Sequence, residues 1–133
     1  MIVIDYRDKR PLYEQVTEKI EHLIICGALS PNTKLPSVRA LAMDLCINPN
    51  TVQRAYACLE QEGYIYTVVG RGNYVTEPAE WRKGKLLSLE RELRDCMTEA
   101  ATAGLPEETV LRLMREIYGR PHPESGKEDP SHD

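Results

Sequence analysis

Ser37-Val-Arg-Ala-Leu-Ala-Met-Asp-Leu-Cys-Ile-Asn-Pro-Asn-Thr-Val-Gln-Arg-Ala-Tyr-Ala-Cys-Leu-Glu-Gln-Glu-Gly63 is the stretch on which the fold turns. Ser37 can cap a helix whose inward positions are Val38, Leu41, Ala42 and Leu45, spaced by three and four. Cys46-Ile-Asn breaks that pattern, and Asn48 followed by Pro49 starts a new helix, because an Asn oxygen satisfies free amides and proline suits the first helical position. On that register Ile47 precedes the cap and Val52 is the fourth helical residue, the pairing of a hydrophobic staple, so the angle of entry is set locally. Val52, Ala55, Tyr56 and Leu59 carry one apolar face until Gly63 stops the helix. The opposite face offers Asn50, Thr51, Gln53 and Arg54. Two short amphipathic helices joined by a tight break predict a helix-turn-helix.

Upstream, Leu12, Val16, Ile20, Leu23 and Ile24 predict a helix from about Pro11 to Cys26, stopped by Gly27. Turn formers and two prolines fill Ala28 to Pro36. Downstream, Tyr64–Val69 is rich in strand formers, Gly70-Arg-Gly-Asn73 reads as a turn, and Tyr74-Val-Thr76 as a return strand. Three helices followed by a hairpin is the order of a winged helix. Beyond Pro78, Leu86, Leu89, Leu93, Cys96, Ala100 and Ala103 alternate like a coiled-coil seam until Gly104. A shorter helix from about Pro106 to Tyr118 presents Val110, Leu113, Met114 and Ile117. The expected class is therefore α+β, mostly α, in three parts. Residues 1–78 form a winged helix-turn-helix with a β-hairpin wing, 79–119 a two-helix dimerisation or effector tail, and 120–133 a disordered end.

Composition narrows the function. A chain of 133 residues, 41% hydrophobic, suits one small domain with an appendage and leaves no room for a large ligand-binding lobe. No apolar run approaches the roughly 20 residues of a spanning helix, and Met1 to Tyr6 is too short and acidic for a secretory signal, so no membrane partner and a cytoplasmic location are expected. The net charge of −4 stands against nucleic-acid binding, but its distribution does not. Leu45 to Leu59 contains no acid and one base, Arg54; Gly63 to Thr76 contains no acid and one base, Arg71. Cys26, Cys46, Cys58 and Cys96 lie 20, 12 and 38 positions apart, too far for a close metal or dithiol pair, and read as small core residues. Of the histidines, His22 lies in a helical pattern and His122 and His132 in the tail, so no metal site is expected. No nucleophile, phosphate loop or cofactor motif stands out, which argues against an enzyme.

The runs Pro11-Leu-Tyr-Glu-Gln15, Leu35-Pro-Ser-Val-Arg-Ala-Leu-Ala42, Ile47-Asn-Pro-Asn-Thr-Val-Gln-Arg-Ala-Tyr56, Leu59-Glu-Gln-Glu-Gly63 and Gly70-Arg-Gly72, in this order, closely resemble the GntR family of transcription regulators. The short tail and the Asn-Pro-Asn-Thr-Val turn look like its YtrA-like subgroup, and the resemblance covers about residues 10 to 118. It implies a homodimer, held by the two C-terminal helices, on double-stranded operator DNA, and suggests control of neighbouring transporter genes. Carried over position by position, Ser37 and Arg39 resemble phosphate and groove-edge contacts. Asn48 opens the recognition helix, Asn50, Thr51, Gln53 and Arg54 resemble its groove-facing set, and Gly70, Arg71 and Gly72 resemble the wing tip. Many relatives carry an arginine where this chain has Pro49 or Gln53, so the sequence read should differ.

Plain chemistry agrees with these roles. Amides and a guanidinium on a third helix can pair bidentately with base edges in a major groove, and two glycines beside Arg71 let a narrow loop enter a minor groove. Each role has a rival: Gly-Arg-Gly alone is a hairpin turn, Arg39 could pair with Asp44 or Glu62, and Arg54 could be a solvated helix residue. Leu86, Leu89, Leu93, Met97, Leu113, Met114 and Ile117 are the expected dimerisation residues, with packing inside one chain as the alternative. The expected function is a dimeric operator-binding repressor; a winged-helix adaptor that docks on proteins is the runner-up. A small-molecule effector would need the dimer interface or the space beside the tail, and the sequence names no ligand.

Overall fold

The structure, a computed structural model, describes residues 2–120. Apart from Arg120, the segment expected to be disordered, 120–133, lies outside the described residues, as do His122 and His132. The chain separates into two compact units, Met1–Arg82 and Lys83–Asp133. Seven elements follow in order: α1 (Leu12–Ile25), α2 (Val38–Leu45), α3 (Pro49–Gln61), β1 (Ile65–Val68), β2 (Gly72–Val75), α4 (Pro78–Ala103) and α5 (Glu107–Tyr118).

Each helix of the first unit begins and ends for a local reason. The Ala40 amide donates to Ser37 Oγ at 3.1 Å and the Asn50 amide to Asn48 Oδ1 at 2.8 Å, so both expected caps form. At the end of α3 the Gly63 amide donates to Glu60 O and the Tyr64 amide to Leu59 O, the paired bonds of a Schellman closure. Ile47 packs against the core that contains the fully buried Val52, as the staple requires. Helices α1, α2 and α3 converge on one cluster: Val16, Ile20 and Ile24, then Leu41 and Ala42, then Val52, Ala55, Tyr56 and Leu59. Tyr64, Ile65, Val75 and Trp81 close it from the wing side, with the Tyr64 and Trp81 rings 5.3 Å apart. Burial pushes the Tyr56 phenol up to about 12, and its hydroxyl donates to Pro36 O at 2.7 Å. Burial, then the neighbouring Glu21 carboxylate, pushes the Tyr64 phenol up as well.

Two expectations are corrected. None of the four cysteines is buried: Cys26 and Cys58 are half-buried, Cys46 and Cys96 exposed. Cys46 adopts a left-handed φ of 56° that closes α2, so its position serves the turn and not the core. The wing also reverses earlier than expected. The Arg71 amide donates to Val68 O at 2.9 Å, Gly70 supplies a φ of 80°, and Val68 pairs with Gly72. The loop is therefore Val69-Gly70-Arg71, with Gly72 and Asn73 already in β2, and Val69, a strong strand former, sits 94% exposed at its tip.

Two long-range features were not legible. Backbone bonds from Asn32 to Val75 O, Leu35 to Asn73 O and Val75 to Thr33 O lay the segment before α2 along β2 as a third, short partner of the wing. Gln15, only 2% exposed, accepts from the Asp5 amide at 3.0 Å and donates to Asp5 O at 3.1 Å. That two-way bond fastens the extended N-terminal segment, whose Ile2 and Ile4 pack against the core. In the second unit, α5 has no buried residue among those described, and Leu86, Leu89, Leu93, Met97, Leu113, Met114 and Ile117 are all exposed.

Candidate nucleic-acid interface

The geometry of α3 follows from its core face. With Val52, Ala55, Tyr56 and Leu59 turned inward, Asn50, Gln53 and Arg54 are exposed and Thr51 is half-buried at the margin. Asn48 is exposed, its Oδ1 committed to the cap and its amide nitrogen left as a donor. Ser37 is exposed with Oγ accepting the Ala40 amide, so its hydroxyl hydrogen remains to donate; Arg39, in the first turn of α2, is exposed. The caps thus have a structural duty independent of any DNA contact.

Arg54 is not simply solvated. Its guanidinium carbon lies 3.8 Å from the centre of the Tyr13 ring, and Pro11, Leu12, Tyr13, Asn50, Thr51 and Arg54 line one surface cleft between α1 and the start of α3. Neither the groove-contact reading of this residue nor its solvated rival includes the ring, because Tyr13 is 41 positions upstream and no local pattern links them.

On the wing, Arg71 is exposed beside Val69 and Gly70. The Gly72 position has a second constraint: with φ at 126°, a Cβ there would stand 3.0 Å from Lys34 Cε. The Lys34 side chain passes close to Gly72, so an exposed second cation sits beside Arg71's hairpin. Sequence reasoning missed Lys34, since the strand pairing that brings it there joins the loop before α2 to β2. Leu45 to Leu59, which includes most of α3, and Gly63 to Thr76, which includes the wing, contain no carboxylate to repel phosphate; the exposed Glu60 lies only in the last turn of α3.

A helix-turn-helix with an exposed amide-and-arginine face and a cationic hairpin beside it defines the winged helix-turn-helix class of transcription regulator. The family profile described as bacterial regulatory proteins, gntR family, matches residues 12–75. The HTH-type transcriptional repressor YtrA of Bacillus subtilis (strain 168) is 40% identical, over 88% of this chain and 92% of that protein. Among solved structures, a GntR family transcriptional regulator from Listeria monocytogenes superposes with a TM-score of 0.70 at 32% identity, covering 85% of this chain and 98% of the other. YtrA from Sulfolobus acidocaldarius, a GntR-family transcription factor, gives 0.54 at 41% identity, over 70% and 97%. The chain belongs to the gntR family of bacterial regulatory proteins and is a DNA-binding transcription regulator.

Proposed function

We propose that the chain is a cytoplasmic repressor without enzymatic activity that binds an inverted-repeat operator as a homodimer and controls a neighbouring transporter operon. The observation that carries the reading is the outward face of α3, where Asn50, Gln53 and Arg54 stand exposed over a core-facing Val52, Ala55, Tyr56 and Leu59 with no carboxylate between Leu45 and Leu59. In this reading α3 enters the major groove, with Asn48 and Thr51 at its entry, and Ser37 and Arg39 meet phosphates at its edge. The wing brings Gly70, Arg71 and Gly72 to the minor groove, with Lys34 adding a phosphate contact.

Dimerisation is supported by the tail. The stripe Leu86, Leu89, Leu93, Met97 on α4 and the face Leu113, Met114, Ile117 on α5 remain exposed, and helices of this length need such faces covered to be stable in water. A second copy covers them symmetrically and sets two recognition helices about one helical turn of DNA apart.

The test is a fluorescence-anisotropy titration against the duplex upstream of the chain's own gene and against a scrambled duplex, across a salt series. Specific binding at two chains per duplex that weakens with salt is expected. Arg54→Ala and Arg71→Ala, still folded, should each lose about 1–3 kcal/mol of operator affinity. Salt-insensitive or non-selective binding would instead favour a protein-docking adaptor.

A further inference from the structure

Arg54 and Tyr13 come from different helices, and the guanidinium carbon lies over the Tyr13 ring, 3.8 Å from its centre. A cation over a ring is attracted by the ring's charge distribution and not through an acceptor atom, so this contact leaves the guanidinium's N–H donors to a hydrogen-bonding partner. The ring is itself held. Tyr13 is half-buried beside the buried Gln15 and Val16, and its hydroxyl reaches the Glu14 carboxylate only at 3.5 Å, so packing and not that bond places the ring. A long, rotamer-rich side chain on an exposed helix face otherwise loses that freedom only on binding.

We infer that Tyr13 is a positioning residue of the DNA-reading face: it holds the Arg54 guanidinium in place before DNA arrives, so that its N–H donors meet one pair of acceptors on the duplex. The inference rests on the reading that α3 faces DNA. Tyr13 belongs to α1, so a residue outside the helix-turn-helix tunes what the recognition helix reads. Asn50 and Gln53 have no such platform and read with ordinary side-chain freedom. Preorganisation of this kind raises affinity for the matched operator more than for a scrambled duplex, because only the matched site rewards the fixed geometry.

A double-mutant cycle tests it, with operator and scrambled duplexes titrated against Tyr13→Leu, Tyr13→Phe, Arg54→Ala and the Tyr13→Leu/Arg54→Ala pair, and with thermal melts to establish that each is folded. Tyr13→Leu should weaken operator binding about three- to five-fold, the scale of an exposed cation–ring contact, and narrow the operator-to-scrambled ratio. Tyr13→Phe should bind like the parent, and Tyr13→Leu should add nothing in the Arg54→Ala background. Parent-like binding by Tyr13→Leu, or an equal loss in both backgrounds, overturns the inference and leaves the DNA face standing. Parent-like binding by Arg54→Ala overturns the DNA-face reading itself.

Discussion

The two units of this chain handle their apolar side chains in opposite ways. The first closes a core from three helices and a hairpin, with Val16, Val52, Ala55 and Leu59 fully removed from water. The second carries equally regular helices and buries almost nothing: Leu93 is 58% exposed and Ile117 61%. Periodicity alone does not separate these cases, since an amphipathic stripe marks a face that wants a partner without saying whether it lies on the same chain. The winged unit covers its own apolar face, whereas the described residues of the tail leave theirs open, the face that the proposed dimer would cover.

That contrast can be broken most forcefully at Leu59. Leu59→Ala should destabilise the winged unit by about 2–5 kcal/mol, read as a lower urea midpoint, because a cavity opens where α3 meets the core. A change within about 0.5 kcal/mol would mean that the unit does not depend on its own core. The matching change in the tail, Leu93→Asp, should leave the unfolding of the winged unit almost untouched. It should convert a dimer to a monomer in sedimentation velocity and weaken operator binding at least about tenfold, since a carboxylate placed in an apolar interface has no partner. A dimer that survives would show that α4's stripe is not the interface.

The smallest effect sharpens the account of the core. Tyr56→Phe should cost about 1 kcal/mol through loss of the bond to Pro36 O. It should also flatten the alkaline limb of stability. The folded phenol is raised from 10 to about 12, so the folded state holds its proton more tightly; the stabilisation is complete below pH 10 and is lost as pH rises toward 12. Melts of the parent and of Tyr56→Phe between pH 9 and about 12 check the sign.

What the sequence disclosed was whatever is decided within a few residues. Ser37, Asn48 with Pro49 and the Gly63 stop are chemical statements about their own neighbours, and each forms as read, while Ile47 packs against the core that holds Val52. The wing's reversal was misplaced because Val69 looks like strand, and only the positive φ at Gly70 and the Val68–Arg71 bond shift the turn forward. Cysteine's habit of burial misled at Cys46, where an unusual backbone conformation, not packing, governs the position. Lys34 beside Gly72, Tyr13 beneath Arg54 and Gln15 on Asp5 join distant segments, and nothing local announces such pairs. Of the candidate DNA-facing residues, the α3 set was legible because it is the complement of the apolar face; its setting was not.

The Gln15 bond to Asp5 has a consequence for how freely this chain can change. A carboxamide there stands in for a neighbouring strand, offering one acceptor and one donor at the reach of a backbone. Glutamate keeps the reach and forfeits the donor, asparagine keeps both groups but falls a methylene short, and leucine fills the space while leaving the Asp5 peptide mute. Position 15 is therefore a keyhole cut for one side chain in twenty, and drift in the alphabet around it is free only so long as that one letter holds still.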